Sequence, residues 1–97
     1  MDKKLKAKWV KALRSGKYVQ ASPAKSWFED GRHCCLGVLG EVACPDILRS
    51  EGLLSPEFDR LGVPQAMRSE LIRMNDGKGD HRAHTFAEIA DYIEVNL

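Results

Sequence analysis

The sequence predicts an α+β fold, with about four helices packed against a small two- to three-stranded antiparallel sheet. Three observations carry this. Apolar residues recur at helical spacing in four stretches. A β-favouring segment with turn-prone residues after it lies between the first two stretches. And 97 residues, 43% apolar and 30% charged, are enough for one domain with a core of its own.

The first helix is expected over residues 3–15. Leu5, Trp9 and Leu13 follow at i, i+4 and i+8, joined by Val10 and Ala12, and the lysines take the other face. Gly16 suits the end of that helix. "KYVQ" supplies Tyr18 and Val19 for a strand near 18–21, "ASPAKS" a turn, and "SWF" a return strand near 26–29. A third short strand can pass through Arg32–His33. From Cys34 the period becomes helical again, with Cys35, Val38, Leu39 and Val42 in one stripe and Pro45 as its stop. Gly37 and Gly40 each cost about 1 kcal/mol inside a helix relative to alanine. Three residues apart, they fit a helix that lets a neighbour come close. A helical turn is expected after Ser55, where Pro56 suits the first position, and a further helix from Pro64, with Met67, Leu71 and Met74 inward. Asn75-Asp76-Gly77 ends it. Thr85-x-x-Glu88 is a capping box opening the last helix, whose stripe is Phe86, Ile89, Ala90, Ile93 and Leu97.

Charge is uneven. Residues 1–17 hold seven Lys/Arg against Asp2, a local +6, and with +1 overall the other 80 residues carry −5. Such an end attracts phosphates without making the whole chain a polyanion binder. No apolar run approaches the ~20 residues that span a bilayer, and "MDKKLKAKWVKALRSGK" has no apolar stretch of signal-peptide type. A cytosolic protein without membrane partners is therefore expected. The three cysteines read as reduced, since a bridge between neighbours Cys34 and Cys35 is strained and one to Cys44 is disfavoured in the cytosol.

His33, Cys34, Cys35, Cys44, His81 and His84 are enough donors for zinc, but the C-x₂-C spacing is missing, so no metal is expected. Cys34 sits where a helix dipole would favour a thiolate, beside Arg32 and His33. No orienting partner for a base can be assigned, and Cys34 and Cys35 read better as small packing residues. "GKGD" at 77–80 follows a helix rather than a strand, unlike a phosphate-binding loop. The lysine face could lie along nucleic acid, but there is no recognition motif and the net charge is low, so nucleic acid is not the expected partner. "RSGKYVQ" is different. Arg14, Lys17, Tyr18 and Gln20 place cations, an aromatic face and an amide at one helix–strand junction, an inventory for a nucleotide.

The segments "KWVKALRSGKYVQ", "CCLGVLGEVA", "LGVP", "MNDGKGD" and "TFAEIADYIEVNL" resemble, in order and spacing, a widespread family of small phage-encoded proteins, from Trp9 to Leu97. His33 and Gly40-Glu41 depart from that family, which often has an aromatic residue and Cys-Asp there; residues 21–26 also lack its usual glycines. A cysteine absent at position 40 supports packing over metal chemistry in the segment.

The resemblance implies a phage protein acting in the host cytoplasm, and small proteins of this kind often counter host defence. Joined to the polar cluster, it leads to the expectation of a non-catalytic, cofactor-free homo-oligomer that sequesters a (cyclic) nucleotide second messenger. Arg14 and Lys17 would meet phosphate, Tyr18 or Trp27 would stack on a base, and Gln20, Asn75 and Asp76 would read polar edges, with Cys34 shaping the site from behind. The rival expectations are an inhibitor docking onto a host defence protein or CRISPR effector, a small nucleic-acid-binding regulator, and a cysteine-dependent enzyme.

Overall fold

The computed structural model describes residues 1–21, 32–46, 56–77 and 82–97. Five helices run through these segments: α1 (Lys3–Arg14), α2 (Cys35–Ala43), α3 (Glu57–Arg60), α4 (Gln65–Asp76) and α5 (Phe86–Asn96). Two strands of two residues each, β1 (Val19–Gln20) and β2 (Arg32–His33), lie between α1 and α2.

The starts of α1 and α5 are capped by nearby side chains. The Asp2 carboxylate accepts the Leu5 N–H at 2.9 Å, satisfying one of the open amides of α1. The Thr85 hydroxyl accepts the Glu88 N–H while the Glu88 carboxylate accepts the Thr85 N–H, so the expected capping box is present at α5. Gly16 closes α1 at φ 76°, a left-handed turn that suits glycine. Gly62, after α3, combines φ 93° with a close neighbour: a Cβ there would stand 2.7 Å from the Met1 Cα. No other residue fits both conditions.

The core lies where α1 packs against α2 and α5, and where α2 and α5 pack on α4. Trp9, Leu36, Leu39, Phe58, Leu71, Ile89 and Ile93 are fully buried in it. The inward faces of α1, α2, α4 and α5 follow the expected stripes, with Leu5, Val42, Met67 and Leu97 half-buried at their margins. The Trp9 indole N–H donates to the Cys35 carbonyl at 2.9 Å, fixing α1 to the first turn of α2.

The expected α+β class with an antiparallel sheet is overturned. The described residues are mostly helical, and the two strands among them run parallel, with Val19 opposite Arg32 and Gln20 opposite His33. The Ala21 N–H continues the ladder to the His33 carbonyl at 2.8 Å. The expected return strand near 26–29 lies outside the described residues. Strands this short do not set their own direction. One is the exit from α1 and the other the entry to α2, and the packing of those helices brings the two together side by side. Among the described residues, no helix is long and apolar enough to cross a membrane.

Candidate functional site

The sequence-predicted site residues that the structure describes fall into three places. The first is a buried polar junction. Asn75, fully buried at the end of α4, accepts the Cys35 N–H (3.2 Å) and the Gln20 side-chain amide (3.1 Å) on Oδ1. Its Nδ2 donates to the Ala21 carbonyl (2.9 Å) and to Asp76 Oδ1 (3.2 Å). Gln20 Nε2 also donates to the His84 carbonyl at 2.8 Å. An amide has two donors and an acceptor oxygen with two lone pairs, so Asn75 is fully engaged by the protein. Gln20, Asn75 and Asp76 are thus brought together, as a tie between α4, β1 and α2.

Cys34 adjoins this junction. It caps α2, its thiol sulfur accepting the Gly37 N–H at 3.4 Å. Burial pushes the Cys34 thiol up to about 11 and raises Cys35 well above the ordinary thiol range. The Cys35 thiol donates to the Leu71 carbonyl at 3.6 Å. At neutral pH both are protonated packing groups, poor nucleophiles. Among the described residues, no three His, Cys, Asp or Glu side chains gather where a metal ion could sit.

The second place is the seam between α1 and α5. Arg14 donates to Asp91 Oδ1 at 2.5 Å and to Glu94 Oε1 at 2.7 Å, and these two carboxylates hold its guanidinium firmly in the charged form. Lys6 Nζ donates to the Glu94 carbonyl at 2.9 Å on the same flank. Two open clefts of about 460 and 270 Å³ run along this seam over Ala7 and Val10, and Glu94 lines both. The structure therefore pairs the Arg14 charge with α5 at the surface, and Arg14 does not line the cleft that holds Tyr18.

The third place adjoins this seam on α1, with Lys11 and Ser15 lining both. Lys8, Lys11, Ala12, Ser15, Lys17, Tyr18 and Val42 line an open groove of about 300 Å³. Helical geometry assembles it: positions 8, 11, 12 and 15 share one side of α1 at i, i+3, i+4 and i+7. The left-handed turn at Gly16 then brings Lys17 and Tyr18 to its end. Tyr18 is half-buried and packs edge-on to His33, with ring centroids 5.1 Å apart and planes at 78°. The Lys17 ammonium lies 5.6 Å from the Tyr18 ring centroid, a cation–π contact. Lys8, Lys11 and Lys17 are exposed, and no carboxylate lines the groove among the described residues.

Of the expected ligand residues, this groove holds Lys17 and Tyr18. Trp27 lies outside the described residues. Lys8 and Lys11 were missed as site residues. They were visible as part of a lysine face, but the sequence does not say which flank of that face stays open. His33 was missed as the support of the Tyr18 ring, because nothing in a linear sequence pairs positions 18 and 33.

No curated protein and no solved structure matches the chain. A family model described as a domain of unknown function, DUF8296, matches residues 1–49, a span that carries α1, both strands, α2 and every residue lining the lysine groove. The chain belongs to the DUF8296 family.

Proposed function

We propose that the protein binds a nucleotide in the groove formed by Lys8, Lys11, Lys17 and Tyr18 and holds it without turning it over. The observation that carries this reading is the union of three lysines and an aromatic ring in one groove with no lining carboxylate among the described residues. Lysine ammoniums are point charges for phosphate, and Tyr18 gives a base a surface to stack on. The volume of about 300 Å³ is at the lower end of small-ligand sites. The described lining has no imidazole, thiol or carboxylate to act as a base near pH 7, which supports sequestration over turnover. With the resemblance to phage-encoded proteins, the reading becomes a counter-defence protein that acts in the host cytoplasm as a homo-oligomer and sequesters a nucleotide immune signal.

Thermal shift against a panel of linear and cyclic nucleotides tests it. A ligand present at 100 times its Kd raises stability by about 2.7 kcal/mol. Tyr18→Leu and the double variant Lys11→Ala/Lys17→Ala are expected to abolish the shift while the unliganded protein stays folded. The reading is lost if no nucleotide shifts the melting temperature, or if both variants respond like the parent protein.

A further inference from the structure

The polar groups of the groove are strung along one line. Lys8, Lys11 and Ser15 share one side of α1, and Lys17 and Tyr18 follow the turn at Gly16. At 1.5 Å of rise per residue, Lys8 and Ser15 are about 10 Å apart along the helix axis. The aromatic ring is therefore at one end, Lys17 beside it, Lys11 in the middle and Lys8 at the far end. Three exposed lysines line the groove, and no carboxylate does among the described residues. A ligand with one phosphate, seated on Tyr18 and neutralised by Lys17, leaves Lys11 and Lys8 unanswered. A ligand whose negative charge continues down the groove meets all three.

We infer that the groove selects ligands that join a base to two or more phosphate groups, the base on Tyr18 and the phosphates on Lys17, Lys11 and Lys8. This rests on the nucleotide reading above and narrows it to a chemical class shared by nucleoside polyphosphates and cyclic dinucleotides.

Calorimetric titration of the full chain with AMP, ATP, cyclic di-AMP and inorganic tripolyphosphate tests the inference. ATP, cyclic di-AMP or both are expected to bind at least about tenfold more tightly than AMP, and whichever is tighter identifies the source of the second phosphate. Lys8→Ala, an exposed substitution, is expected to weaken that ligand by roughly three- to tenfold while AMP keeps its affinity within about twofold. The inference is overturned if AMP equals the two larger ligands, if Lys8→Ala weakens all of them alike, or if tripolyphosphate binds as tightly as ATP. Binding of none of the four overturns it together with the nucleotide reading, whereas tight AMP binding overturns the inference alone.

Discussion

Asn75 closes the N-terminus of α2 from a distance of 40 residues, its side-chain oxygen accepting the Cys35 N–H at 3.2 Å. Three elements meet at this one amide, since it also holds Gln20 and the Ala21 carbonyl of the β1 segment. The junction thus fixes β1, the strand that directly follows Tyr18, against the helix that follows β2.

Truncating that amide leaves buried groups without partners. In Asn75→Ala the Cys35 N–H and the Ala21 carbonyl lose hydrogen bonds that water replaces poorly at a fully buried position. The expected loss is about 2–4 kcal/mol in urea unfolding. Gln20→Ala removes a half-buried partner and is expected to cost about 1 kcal/mol. The double variant should cost less than the sum of the two, because the residues share one network. Additive losses would show that the amides act independently.

The buried thiols predict an alkaline weakness. The Cys34 thiol rises from an ordinary 9.0 to about 11 because burial disfavours the thiolate. Between those values the unfolded chain gives up the proton and the folded chain keeps it, so stability falls as pH rises through the window. Cys34→Ser keeps a side chain able to cap α2 and removes this titration. Relative to that variant, the parent protein is expected to lose roughly 2–3 kcal/mol between about pH 9 and 11. Urea midpoints measured across that range check it, and a difference that does not change with pH refutes it.

The contrast between what was legible and what was not follows the range of the interactions. The capping box of Thr85 and Glu88 spans four residues, so its chemistry is complete in the sequence. The inward stripe of α1 is equally local: Trp9 and Leu13 are buried because their period matches the helix. Asn75 gives no such signal, because its partners lie 40 to 55 residues away and a polar residue at a helix end reads as the start of a loop. Strand direction was illegible for a related reason. Val19 and Gln20 carry too little alternation to fix a register, and helix packing decides it. Arg14 looked like a phosphate ligand because its carboxylate partners sit at the other end of the chain.

The pairing of Arg14 with Asp91 and Glu94 predicts a salt-sensitive latch. Both contacts are exposed enough for screening, so the latch is modest and weakens with ionic strength. Arg14→Ala is expected to lower the melting temperature more in about 20 mM salt than in about 500 mM salt. It should also leave nucleotide binding in the Lys8–Tyr18 groove within about twofold of the parent, since Arg14 does not line it. Complete loss of binding in a folded Arg14→Ala protein would place the ligand on the α5 flank instead.

At the other end of α5, Glu88 is expected to govern part of the response to acid. The Arg82 guanidinium donates to both of its carboxylate oxygens, at 2.8 and 2.6 Å, and this pairing, helped by the Thr85 amide, brings Glu88 from 4.5 down to about 2. Its contribution is therefore complete above about pH 4.5, the unfolded value, and is lost as pH falls toward 2. Glu88→Gln keeps a capping-box side chain but removes the charge. Below pH 2 the parent and the variant should have nearly equal stability, and the parent should gain on the variant as pH rises through the window. The gain should shrink in high salt, because the pair is exposed. Parallel acid-unfolding curves for the two proteins would show that the α5 cap works through its hydrogen bonds alone.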